Sequence, residues 1–282
     1  MTSLRHGIAV PNFGTDPAEL IDLGVAAEHA GFDGYFLWDH IVFSDRGDGP
    51  PILDPWAILA VVAARTSRIT LGTVVTPVPR RRPWQLARMT TTLDRLSGGR
   101  LVLGVGIGSP AYGDFGIFGE PTGERERAEL LDEGLDVLAG LWSGEPFAYA
   151  GRHLTMDTVR FTPVPVQRPR IPVWVAGVLP APRPIARAAR WDGFVPIRWA
   201  GRGLVRPSAA DIAETAAQIG AQRGHLDGYD LVVWAEVATD LGQLAGLQDD
   251  YKQAGATWWI ETARPADGWW EGIRQRVAAG PG

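Results

Sequence analysis

Residues 68–109, RITLGTVVTPVPRRRPWQLARMTTTLDRLSGGRLVLGVGIGS, narrow the choice of fold more than any other part of the chain. Positions 69–75 are apolar or β-branched on both alternations apart from one glycine, as in a strand covered on both faces. Pro77, Pro79 and Pro83 then interrupt regular structure, and Pro83 suits the first turn of a helix. Leu86, Met89, Leu93 and Leu96 recur at the spacing of one helical stripe, which Gly98 and Gly99 close as a C-terminal cap does. Positions 101–105 are again apolar or glycine. Two doubly covered strands joined by one helix predict a parallel βαβ unit. Gly104, Gly106 and Gly108 fall where the second strand ends, and α/β folds bind their ligands at the carboxyl ends of strands.

The same pattern repeats along the chain. Strand-like runs occur at 6–11, 35–38, 69–75, 101–105, 172–176, 193–197, 230–237 and 257–261, each followed by helix-like or loop sequence. Asp16-Pro17 and Asp54-Pro55 read as capped helix starts. Further helices are expected over about 123–142, 183–190, 208–223, 240–254 and 268–279. The stretch 144–170 departs from the pattern and reads as a short hairpin and an extended crossing inserted between units. Ala30-Gly31-Phe32-Asp33-Gly34-Tyr35 recurs as Ala189-Arg190-Trp191-Asp192-Gly193-Phe194, with a looser copy at 254–258. Each copy lies at a helix-to-strand junction, so one supersecondary unit is repeated. Eight such units in 282 residues predict an α/β TIM (β/α)8 barrel, a single domain over 1–282 with an insertion near 144–170. An open doubly wound sheet is the alternative.

Composition removes several classes of function. A net charge of -5 argues against nucleic acid as a partner. No apolar run is long enough to span a membrane, and the N-terminus lacks an apolar signal core, so a cytoplasmic location is expected. Zero cysteines exclude disulfides, thiol catalysis and thiolate metal sites, and no His/Asp/Glu cluster has metal-binding spacing. Twelve tryptophans exceed ordinary core needs and suit a planar cofactor, an aromatic or apolar substrate, or an interface; Trp142, Trp269 and Trp270 are candidate interface anchors.

The predicted strand ends place Asn12, Phe13, Asp39, His40, Thr76, residues 106–109, Ala176, Gly177, Arg198, Trp199, Glu236, Glu261 and Thr262 on the functional rim. Of five histidines, His40 alone lies just beyond a buried strand, which makes it the candidate acid or base. Its neighbour Asp39 points to the opposite face, so Glu236, Glu261 or Asp54 is the expected orienting carboxylate. The glycine run lacks the immediate helix of a dinucleotide fold. It reads either as close approach of backbone to something flat or as tight packing at a barrel rim. Arg80-Arg81-Arg82 reads as a solvated surface or as an anion site.

Taken together, residues 71–108, FLWDH at 36–40, DPW at 54–56, GEPFAYAGRHL at 144–154 and RPRIPVWVAG at 168–177 resemble the bacterial luciferase-like family of flavin- and deazaflavin-dependent oxidoreductases. The resemblance implies FMN or coenzyme F-420 at the carboxyl end of the barrel and a non-prolyl cis peptide between Gly72 and Val75. It places Asp39, Thr73, Val74, Thr76, Gly106, Gly108, Ser109, Ala176, Gly177 and Val178 at the cofactor, His40 at the chemistry, and Phe13 and Trp199 toward the substrate. Ser109 stands where deazaflavin members acting on alcohols or sugar phosphates often carry glutamate. The reading put first is therefore a monooxygenase using reduced FMN and O2 on a small organic substrate, served by a separate flavin reductase. An F-420-dependent dehydrogenase or reductase and a non-catalytic flavin-binding barrel are the alternatives. The resemblance also implies a homodimer. Loops 43–53, 109–121 and 198–207 are expected to shape the pocket.

Overall fold

A strand covered on both faces needs helices outside and partners on either side, and eight of them satisfy one another by closing. The computed structural model describes residues 3–200, 203–236, 241–263 and 268–281. In chain order the elements are β1 (Arg5–Val10), α1 (Pro17–His29), β2 (Gly34–Leu37), α2 (Pro55–Arg65), β3 (Thr70–Pro77), α3 (Pro83–Ser97), β4 (Leu101–Gly106), α4 (Glu124–Ser143), β5 (Pro146–Ala150) and β6 (Thr155–Arg160). There follow β7 (Val173–Leu179), α5 (Pro182–Ala188), β8 (Gly193–Ala200), β9 (Gly203–Val205), α6 (Ala209–Arg223), β10 (Asp230–Glu236), α7 (Leu241–Gln253), β11 (Trp258–Thr262) and α8 (Trp269–Ala279). Strands β1, β2, β3, β4, β7, β8, β10 and β11 pair in parallel in that order, and β11 returns to β1. The barrel is closed. Val237, residues 201–202 and residue 240, expected at the end of a strand, in a rim loop and at the start of a helix, lie outside the described residues.

The lumen is filled by side chains. Phe36, Trp174 and Trp258 meet with ring centroids 5.3 to 5.8 Å apart, among Ala9, Val102, Val195, Val232 and Ile260. These rings explain the glycines of the internal repeat. A Cβ on Gly34 would lie 2.5 Å from Phe36, and one on Gly193 2.4 Å from Trp174. The aspartates before them do equivalent work. Asp33 accepts the His6 N–H of β1, and Asp192 accepts the Val173 N–H of β7, both at 2.8 Å. In the third copy the Thr257 hydroxyl takes the Leu231 N–H of β10.

The insertion is the expected hairpin, β5 antiparallel to β6. Glu133 of α4 accepts the backbone N–H groups of Arg152, His153 and Leu154 and so ties its tip to the barrel. The prolines end β3 as expected: Pro77 is its last residue and pairs with Gly106, beyond the point where β3 parts from β2 at Thr73 and one side of its backbone leaves the ladder. Trp142 is no interface anchor, because its ring is buried between α3 and α4 with its N–H on Thr90. Trp269 and Trp270 are half-buried against the core. Among the described residues, no helix is long and apolar enough to cross a membrane.

Candidate active site

The site is built at the carboxyl end of β2. Leu37 ends the strand, and Asp39 and His40 leave it with their side chains on opposite sides. Asp39 turns inward and is 2% exposed. Its carboxylate accepts Arg81 at 2.6 and 2.8 Å, Arg80 at 3.0 Å, the Thr76 hydroxyl at 2.7 Å and the Trp56 indole at 3.4 Å. Arg80 also donates to the Asp39 carbonyl, and the Thr73 hydroxyl bonds Thr76 at 2.8 Å. Burial alone would raise the Asp39 carboxyl. The Arg81 and Arg80 guanidiniums with the hydrogen bonds outweigh it and hold the carboxyl below its usual value. Of the arginine run, Arg80 and Arg81 are thus paired with Asp39, while Arg82 is exposed. The network also occupies the side chains of Asp39, Thr73 and Thr76, which the sequence reading assigns to a cofactor.

His40 turns the other way and keeps a side chain 19% exposed. Its Nδ1 lies 2.5 Å from Oδ2 of Asp114, which belongs to the loop after β4. The other oxygen of Asp114 accepts the N–H groups of Ile41 and Val42 at 2.7 and 3.1 Å. Burial would raise the Asp114 carboxyl, but the His40 bond and charge and the two backbone donors hold it below the ordinary value. The carboxylate thus keeps a proton on Nδ1, and no described residue bonds Nε2. The buried amide of Asn12, beyond β1, donates to the carbonyls of His40 and Leu53 at 3.0 and 2.7 Å and fixes the main chain from below.

Two of the three expected orienting carboxylates are engaged elsewhere. Glu261 is buried and paired with Arg276 of α8, and Asp54 caps α2 on the Ala57 N–H. Asp114 was legible only as one of two acids in a glycine- and aromatic-rich loop; nothing in spacing links it to His40. Arg127 of α4, which donates to the Gly108 carbonyl at 3.2 Å, gave no signal either.

On the neighbouring strands, the Val74–Val75 peptide is cis, within the expected stretch, where the β3–β4 register shifts. The glycines around it are required by packing. A Cβ on Gly72 would lie 1.9 Å from the Val102 carbonyl oxygen and one on Gly104 2.2 Å from that of Thr73. Gly108 has φ +71° and its Cβ would strike Phe115. At Gly72, Gly104 and Gly108, tight packing therefore accounts for the glycine without a ligand. The Ser109 hydroxyl accepts the Ala111 N–H, capping a short turn. Gly177 is closed in by Pro184, whereas Ala176 is half-buried, and Val178 and Trp199 are exposed. Phe13 is buried with its ring 4.9 Å from Phe43 and 6.4 Å from His40. Among the described residues, no three His, Asp or Glu side chains form a metal site.

The arrangement offers a histidine with one nitrogen held and one open, beside apolar walls, at the mouth of a closed barrel. Residues 2–243 match the family model described as luciferase-like monooxygenase. The chain is 32% identical over 83% of its length to an F-420-dependent glucose-6-phosphate dehydrogenase of Nakamurella multipartita, covering 67% of that protein. It spans roughly half to two thirds of the curated relatives it matches. Among solved structures, an F-420-dependent secondary alcohol dehydrogenase bound to an F-420–acetone adduct superposes with a TM-score of 0.78 at 17% identity, over 99% of each chain. A monooxygenase from Streptomyces bottropensis does so at 0.70 and 22% identity, over 98% of this chain and 97% of that one.

Proposed function

The chain belongs to the luciferase-like monooxygenase family, and from that premise we propose that it is an oxidoreductase dependent on coenzyme F-420, a dehydrogenase or reductase in which His40 moves the proton. The observation that carries this reading is the His40–Asp114 pair at the barrel mouth. The sequence alone puts FMN monooxygenation first; the F-420-dependent glucose-6-phosphate dehydrogenases among the curated relatives support the F-420 reading instead.

The residues present fit such a cofactor. The Val74–Val75 peptide, the backbone of residues 106–109 and the Ala176–Val178 stretch lie on the consecutive strands β3, β4 and β7, and half-buried Val75 and Ala176 with exposed Val178 offer an apolar bed. When bound, the deazaflavin supplies hydride transfer. The protein supplies the proton path. Asp114 accepts the proton on Nδ1, which leaves Nε2 to accept a substrate hydroxyl proton on oxidation and return one on reduction. The Asn12 amide and the Asp39 network hold that imidazole in place.

Equilibrium dialysis of the purified chain against F-420 and against FMN tests the choice. Retention of F-420 with FMN bound far more weakly is expected. Retention of FMN, with O2 consumed on reduction, would return the monooxygenase reading and its flavin reductase. The homodimer belongs to the same reading and is checked by mass in light scattering.

A further inference from the structure

Two guanidiniums and one carboxylate make an unbalanced cluster. Arg80 and Arg81 share Asp39 as their counter-charge, and neither pairs with a second carboxylate among the described residues. The side chains of Arg80 and Asp39 are each 1% exposed and that of Arg81 18%. One positive charge is therefore left over where water barely reaches, which is costly unless an anion meets it. Donors are left over too. Each arginine reaches the Asp39 carboxylate through Nη2; its Nε is buried without a partner, and no described residue bonds its Nη1.

Both arginines line a cavity of about 480 Å³, a volume within the range of small-molecule sites. The turn after β3, the first two turns of α3, the start of α4 and the tip of the β5–β6 hairpin bound it, and His40 does not line it. Arg82 adds a third guanidinium, exposed and with no side-chain acceptor among the described residues, its charge 5.9 Å from the Trp84 ring. Arg82 also begins α3, whose first turn no side chain caps, so the helix dipole adds to the same sign. Leu86, Met89, Leu130 and Leu154 supply an apolar wall.

The other charges of the lining limit what can enter. Asp54, Glu120 and Glu126 form no ion pair among the described residues, and His153 is taken up by Glu129 at 2.8 Å. One carboxylate suits the arginine side, where guanidiniums meet it through charge-assisted bonds. A second anionic group would face the three acids and be repelled.

We propose that this cavity is a binding site for a small organic monocarboxylate, its carboxylate at the arginine run and its apolar body along Leu86, Met89, Leu130 and Leu154. The site is separate from the proton path at His40 and does not rest on the F-420 reading.

Calorimetric titration of the purified chain with hexanoate, adipate and hexylammonium at constant ionic strength tests this. Saturable hexanoate binding is expected, with adipate and hexylammonium each more than tenfold weaker. Arg82→Gln should weaken hexanoate about tenfold, the loss of one charge-assisted contact. Met89→Trp fills the cavity and should abolish hexanoate binding. No saturable hexanoate binding, adipate or hexylammonium within tenfold of hexanoate, or unchanged hexanoate affinity in either variant overturns the proposal. The Arg82 side chain is exposed, so the wild-type titrations and Arg82→Gln decide even if Met89→Trp fails to fold. Whichever cofactor dialysis retains, the outcome stands by itself.

Discussion

His40 and Asp114 stand 74 positions apart in the chain and 2.5 Å apart in space. Each makes a separate prediction. A positioned acid or base contributes about 10²–10⁴ in rate, so His40→Ala should cost roughly 3–5 kcal/mol of transition-state stabilisation, at 1.36 kcal/mol per tenfold. Cofactor retention should barely move and the unfolding midpoint should fall only part-way, because Asp114 loses His40 but keeps the Ile41 and Val42 N–H groups; a loss of fold would instead make the residue part of the rim. Asp114→Asn is subtler. The amide has an N–H where the carboxylate had a lone pair, so it favours the opposite tautomer and puts a proton on Nε2. A fall in kcat/KM of about a hundredfold with unchanged F-420 affinity is expected, measured by steady-state kinetics beside dialysis. Normal turnover in this variant would remove Asp114 from the proton path.

At the scale of elements, the rim is held by a buried carboxylate that closes β2 onto the turn after β3. Asp39 has a side chain 1% exposed and the facing Arg80 is equally buried. Removing one partner of such a pair leaves charge unpaired, at a cost of about 3–5 kcal/mol. Asp39→Ala should lower the unfolding free energy by that amount, seen as a lower urea midpoint with an unchanged m-value, the sign of lost stability rather than altered compactness. The β3–β4 seam makes a second prediction. With the Val102 carbonyl 1.9 Å from where a Cβ would stand, Gly72→Ala must push two backbones apart. A loss of at least about 1–3 kcal/mol is expected from overpacking. A fully stable Gly72→Ala chain would mean that the seam tolerates more give than its geometry shows.

For the whole molecule, the two site carboxylates set a common pH dependence. Asp39 and Asp114 titrate below their ordinary value in the folded chain. Their contribution is therefore complete above the unfolded carboxylate pKa of about 3.9 and is lost as pH falls through it toward the folded value. Asp230, raised by burial, acts in the opposite sense and regains stability as it protonates. Urea midpoints should be flat near neutrality and drop below about pH 4, less steeply in Asp39→Ala. An equally steep drop in that variant would assign the acid sensitivity to other groups. The barrel itself follows from short-range order: doubly apolar strands, proline-started helices and a repeated Asp-Gly junction are local patterns, and they fix element type, count and the rim on which His40 lies. The repeat even specifies its bonds, because each junction meets the same neighbouring strand. The carboxylate of Asp114, the burial of Arg80 and Arg81 and the packing reason for Gly72 and Gly104 were not legible. Each depends on which loops and strands meet once the sheet closes, and closure places residues side by side that no local periodicity connects. Sequence determined that a histidine stands at the mouth; only the closed barrel decided which acid holds it.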